Sequence, residues 1–251
     1  MSLQPKLKSE EFFERIANLS QEDRNNVFKI NALRKDAEAL VKNDPFSAYM
    51  LLGMLSGIEA KMNEVRDYFN RVIKISPNSY IGYYNFAIAL HSNGFHSEAS
   101  THAIKANELN PGDTKILDLL VNNYLASGRY RDANDWLQKW DRVMPKKPHK
   151  ETNILRQIYP FISEQKIADD DVERLQKLAY SLLLENNVSI TEKRMMILED
   201  EESRWLNYMI GIDEPVTEIV DLNEKLAERM ADEDLPASLT SNVVIMFSSA
   251  S

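Results

Sequence analysis

The sequence predicts a mainly α fold, a superhelix of helical hairpins, followed by a small α/β unit ordered strand–strand–helix–strand. Three observations predict it. Pro77, Pro111 and Pro145 stand 34 residues apart, each just after an apolar helical pattern, and proline stops a helix and starts the next unit. From about residue 186 the apolar spacing changes from helical to strand-like. The charge divides as well. Residues 1–150 hold 21 Lys+Arg against 18 Asp+Glu, a net of +3, and residues 151–251 hold 9 against 21, a net of −12. Such asymmetry points to regions with different roles.

In chain order, a short helix is expected at Glu10–Ala17 with Ser9 as its cap. A single helix is expected at Gln21–Asn43, with Ser20 as N-cap and Asp23 three positions on. The 34-residue frame then gives units 46–79, 80–113 and 114–147. The first helix of each unit carries four side chains at i, i+3, i+4 and i+7, which share one helix face. They are Tyr49, Leu52, Gly53 and Ser56, then Tyr83, Phe86, Ala87 and Leu90, then Leu117, Leu120, Val121 and Tyr124. The second helices carry Val65 and Phe69, Ala99 and Ala103, Ala133 and Leu137. Small residues at facing positions let two backbones approach closely. Gly94 and Gly128 suit a left-handed turn between paired helices, where the first unit has Ala60. Helix pairs are expected at 46–59 with 62–75, 80–93 with 96–109, and 114–127 with 130–143.

This pattern resembles the tetratricopeptide repeat over residues 46–147, most clearly at Tyr80–Asp113 and least in the first unit. The resemblance implies a right-handed superhelix of helical hairpins that binds partners in its concave face. Ala37, Leu40 and Pro45 copy the spacing of a second helix, so residues 1–45 read as N-terminal helices with a degenerate half-repeat. Residues 148–185 read as capping helices, since open stacks must cover their apolar ends. Ile154, Leu155 and Ile158 mark the first of these, which Pro160 is expected to end or kink. Asp171–Leu184 marks the second, with acidic residues at its N-terminus as the helix dipole prefers.

Residues 186–251 read as the acidic α/β unit. Arg194–Leu198 and Arg204–Ile212 are expected to form a hairpin across the turn Glu199–Ser203. Asp213 is expected to cap a helix with Pro215 in its first turn, and Val243–Phe247 reads as a buried strand. This unit is a candidate second docking or homodimerisation element, backed by the Asp171–Leu184 helix.

The chain has no cysteine, which excludes disulfides, a thiol nucleophile and cysteine-ligated zinc. No apolar run approaches the ~20 residues needed to span a bilayer, and the first twenty residues have no apolar signal core. A cytoplasmic protein without membrane contact is the expectation. The acidic half would repel nucleic acid, and no basic stripe offsets it. His91, His96, His102 and His149 include no i, i+4 pair for a helical metal site. The run Asp169–Asp171 reads as a helix cap, and no glycine-rich phosphate loop exists. The expectation is therefore a non-catalytic module without cofactor or metal.

The repeat resemblance places Met50, Met54, Ile58, Ile81, Tyr84, Asn85, Ile88, His91, Lys115, Asp118 and Asn122 on or beside the concave groove. An exposed groove rarely carries so many apolar side chains unless something occupies it. The expected occupant is a protein or peptide with apolar anchor residues. The chain's own Glu10–Ala17 helix, plugging the groove with Phe12 and Phe13, is the internal alternative. Two other readings stand beside these: a constitutive subunit of a larger assembly, and an enzyme using Asp200, Glu202 or Asp213 with a divalent metal. Repeats that clamp the C-terminal carboxylate of heat-shock chaperones need cations and amides where this chain has Met50, Met54, Asn85, Lys115 and Leu119. Two of five match, which argues against that adaptor role.

Overall fold

The computed structural model describes residues 8–249, without the side chains of residues 8–10, 17 and 21. Ser9, the expected cap, is already helical within Lys8–Ala17 and so does not cap that helix. The chain is mainly helical, with a small three-stranded sheet near the C-terminus. It divides into two compact units, Met1–Asn123 and Tyr124–Ser251. The division falls inside the third 34-residue interval.

The first unit opens with α1 (Lys8–Ala17), α2 (Gln21–Asn25) and α3 (Val27–Leu40). Ser20 and Asp23 form the expected capping box. The single helix expected over Gln21–Asn43 is nonetheless broken at Asn26. That residue is extended at φ −86°, ψ 97°, and its side chain accepts from the Lys29 backbone N–H at 3.1 Å. Asparagine competes in this way for backbone donors, so a uniform apolar pattern did not guarantee one helix.

The hairpins follow as expected, with α4 (Pro45–Ile58) paired to α5 (Met62–Ile75) and α6 (Tyr80–His91) paired to α7 (His96–Leu109). Phe69 is fully buried and stacks on Phe86 at 5.0 Å. Gly53 makes that possible, because a Cβ there would lie 2.7 Å from the Phe69 ring. Gly94 turns at φ 81°, and Ala60, at the corresponding place in the first hairpin, is forced to φ 56°. Helix α8 (Thr114–Ala126) carries the chain into the second unit.

The second unit holds α9 (Tyr130–Val143), α10 (Thr152–Glu164), α11 (Asp169–Glu185), β1 (Ile190–Glu199), β2 (Arg204–Ile212), α12 (Val216–Asp232), α13 (Ala237–Thr240) and β3 (Val243–Ser249). Gly128 has the expected positive φ, 76°. Helix α10 runs through Pro160 to Glu164 instead of ending there. Pro160 and Arg156 are both exposed, so the carbonyl that proline leaves without a donor can meet water. Asp169 caps a neighbour: its carboxylate accepts from the Arg131 N–H at 3.0 and 3.1 Å and the Asp132 N–H at 3.1 Å, in the first turn of α9. Helix α9 has no side-chain cap of its own. Asp213 is likewise not the cap of α12; Pro215 holds that position, and its ring cannot accept a bond.

The sheet order is β1-β2-β3, with β1–β2 antiparallel and β2–β3 parallel. In the β1–β2 turn, the Asp200 carboxylate accepts from the backbone N–H of Glu202 and Ser203, at 3.0 and 2.7 Å. One sheet face buries Leu206, Tyr208 and Ile210 beside Val243, Ile245 and Phe247. Helices meet the sheet on this face: Tyr180 of α11 hydrogen-bonds Tyr208, and the Tyr130 hydroxyl of α9 donates to Met195 Sδ at 3.3 Å. On α12, the Asn223 amide grips the outer edge of β3. It accepts from the Phe247 N–H at 2.8 Å and donates to the Phe247 carbonyl at 3.0 Å.

Candidate functional site

Within the first unit, a pocket of about 380 Å³ opens between the N-terminal helices and the first members of the two hairpins. Its apolar lining is Ile16 of α1, Met54 and Ile58 of α4, and Ile88 and Ala89 of α6. The polar lining is Arg24, Asn25, Asn85, Ser92 and Asn93, and Gly57 completes the wall. Local sequence explains the arrangement. Met54 and Ile58 lie four apart on α4, and Asn85, Ile88, Ser92 and Ala89, Asn93 follow the same helical spacing on and just beyond α6. Asn93 fixes the two helix ends together, donating to Gly57 O at 3.1 Å and Ala89 O at 2.8 Å.

Four of the groove residues named from sequence meet at this pocket: Met54, Ile58, Asn85 and Ile88. The rest do not line it. Met50 is a correction, because it is 4% exposed and packs in a core with Val65, Phe69, Phe86 and Leu90. The α4 helix is apolar on more than one side, and its inner stripe turns partly into the hairpin core. Ile81 is exposed. Tyr84 is half-buried, and burial pushes its hydroxyl pKa up, with Asp113 and Asp118 adding to the effect. His91 meets the Asn123 side chain through Nδ1, and its ring lies 5.0 Å from that of His96. Lys115 is exposed, and the Asn122 amide donates back to the Asp118 carbonyl at 2.7 Å within α8.

The N-terminal contribution was only partly legible. Phe12 and Ile16 are buried with Leu33, Leu51 and Leu55, and Phe13 and Met54 both pack against that cluster. Helix α1 thus covers part of the α4 face, as the internal-filling alternative supposed, but leaves the pocket at Ile16 open. Arg24 and Asn25 were missed, because nothing in a single sequence pairs a helix-end arginine with a site sixty residues on. Arg24 is the one ionisable side chain in the lining, and its Nε donates to Leu19 O at 3.4 Å.

Chemically, the site offers apolar walls with an amide and guanidinium rim, which suits holding a side chain more than transforming a substrate. Among the described residues, no group of three or more His, Asp or Glu side chains could hold a metal ion. No helix there is long and apolar enough to cross a membrane. The structure therefore defines one unit of helical hairpins that bears an amphipathic pocket, and one unit that bears a three-stranded sheet. Neither a protein-family model nor a curated protein matches this sequence.

Proposed function

We propose that this chain is a non-catalytic protein–protein interaction module of the tetratricopeptide type, and that its pocket receives an apolar side chain of a partner peptide or helix. The pocket carries the reading. Met54, Ile58 and Ile88 form walls large enough for one leucine- or phenylalanine-sized anchor, and the amides of Asn85 and Asn93 sit where they can meet a peptide backbone. The 34-residue interval supports the family assignment, since its turns fall at Gly94 and Gly128. The internal-filling alternative accounts for α1 on α4 but leaves Ile88 only partly buried at the pocket wall, where an apolar anchor would cover it.

A randomised peptide library selected on the whole protein tests this. Selected peptides should share one Leu, Ile, Met or Phe anchor. Ile88→Lys should weaken their binding ~30-fold, the loss typical of a central apolar contact, with the helical circular dichroism unchanged. Tyr84→Ala should have a smaller effect. Peptides without a shared anchor, or affinity indifferent to Ile88→Lys, would sink the proposal.

A further inference from the structure

The pocket of the first unit is electrically one-sided. Arg24 lines it, and no Asp or Glu side chain does. The first unit has five arginines. Arg15, Arg34, Arg66 and Arg71 each close on an Asp or Glu side chain. Arg24 differs. Its Nε donates to Leu19 O at 3.4 Å, in the turn between α1 and α2, and no carboxylate among the described residues meets its two terminal nitrogens. The pocket thus presents a guanidinium whose strongest natural partner, a carboxylate, must come from outside.

The neutral lining is arranged the opposite way. Asn85 Nδ2 donates to Ile81 O at 2.9 Å and to Met50 Sδ at 3.6 Å. Asn93 Nδ2 donates to Gly57 O and Ala89 O. Both amides therefore use their N–H groups within the protein and keep a carbonyl oxygen to offer. Such oxygens suit the backbone N–H groups of a peptide and oppose a carboxylate. Charge on the unit as a whole selects nothing, since residues 1–123 hold 14 Lys+Arg against 15 Asp+Glu, too even a balance to gather acidic peptides in general. Any preference for an acid must be local to Arg24.

We infer, resting on the anchor reading proposed above, that the partner segment carries an Asp or Glu side chain close to its apolar anchor, and that Arg24 holds this carboxylate. The anchor fills the space at Met54, Ile58 and Ile88, and the acid reaches the guanidinium at the rim. A pocket of about 380 Å³ is roughly 9 Å across if round. A side chain three or four places along a helix, or two along an extended chain, spans that reach. The carboxylate belongs to a side chain and not to the partner's C-terminus. A terminal carboxylate sits directly on the anchor residue, where Asn85 and Asn93 offer oxygens and no N–H.

Synthetic peptides from the selection, amidated at the C-terminus and titrated on the whole protein, test this. Selected sequences should share an Asp or Glu at one fixed spacing from the anchor. Replacing that acid by its amide should weaken binding ~5-fold, the upper range for a pair that water still reaches. Moving the acid elsewhere in the same peptide should weaken it equally. Arg24 is exposed, so Arg24→Gln and Arg24→Glu should leave the helical circular dichroism unchanged. Arg24→Gln should bind the acid and amide peptides alike. Arg24→Glu should reverse the preference, taking a peptide with Lys at that position ~5-fold better than the acid peptide. Anchored peptides with no acid at a fixed spacing, an acid preference that survives Arg24→Gln, or one that appears only in peptides with a free C-terminal carboxylate would overturn the inference and leave the anchor reading standing. Peptides without a shared anchor would remove that reading, and this inference with it.

Discussion

Phe69 in the first unit and Tyr208 in the second are both buried, yet they are held by different means. Phe69 lies against Phe86 in a space cleared by Gly53, so shape alone fixes it. Tyr208 brings a hydroxyl into the interior and must find it a partner, Tyr180. Nearby, Gln176 Nε2 reaches the Tyr130 hydroxyl at 3.5 Å, and burial pushes the Tyr130 and Tyr208 hydroxyls well above their usual pKa. Hairpins joined by local turns can rely on large side chains meeting small ones. A sheet packed on helices from distant parts of the chain relies in addition on polar groups that fit only one arrangement. The two units should therefore respond differently to cavities, backbone relief and acid.

The largest separation should come from Phe69→Ala. Removing a fully buried ring costs about 3–5 kcal/mol, because Gly53 offers nothing to refill the space. Urea unfolding should show an earlier transition for the first unit, with the near-ultraviolet signal of Trp205 in the second unchanged. A single shared transition moving as a whole would erase the contrast between the units.

Next is a gain. Ala60 holds a left-handed conformation at φ 56° on an exposed turn, a strain of about 1 kcal/mol for a residue with a Cβ. Ala60→Gly should recover up to that amount, reduced by the extra freedom glycine has when unfolded. Calorimetry should place the rise in the first unit's transition. The same substitution gives no gain if the turn's strain is already relieved in solution.

The smallest effect is the sharpest in sign. Burial under Phe86 holds the His102 imidazole below its ordinary pKa of 6.5, with Glu98 opposing. As pH falls below 6.5, the unfolded chain takes up this proton first. The first unit therefore keeps this contribution above that pH and loses it on the way down to the folded value. Burial raises Asp169 above its ordinary 3.8, opposed by the N–H groups of Arg131 and Asp132. Its contribution is complete below 3.8 and lost as pH rises toward the folded value. Acid should thus weaken the first unit through His102 and strengthen the second through Asp169. Thermal unfolding across the mildly acidic range should show His102→Phe removing the first response and Asp169→Asn the second.

The hairpins α4–α5 and α6–α7 were legible because their signals are local: apolar positions at helical spacing, with Gly94 at the second turn and Pro77 and Pro111 after the hairpins. The strands were legible for the same reason, including the short apolar run Val243–Phe247. What failed was decided by one residue against its pattern. Asn26 broke a helix by offering its own side chain to the backbone, Pro160 was tolerated on an exposed face, and Met50 turned into the core. The pocket was half legible. The repeat resemblance pointed to Met54, Ile58, Asn85 and Ile88, whereas Ile16, Arg24 and Asn25 came from helices whose docking no spacing encodes. Asp169 shows the same limit: its partners, the N–H groups of Arg131 and Asp132, lie almost forty residues away.

The grip of Asn223 on Phe247 decides what kind of self-association is open to this chain. A bare strand edge is head-to-tail by nature: each molecule added offers another edge, and growth has no natural end. Here a side chain from α12 takes the place that an incoming strand would need at the middle of β3's outer side. A contact between like faces, by contrast, uses itself up when the second molecule arrives. One asparagine on a helix thus separates a finite particle from a filament.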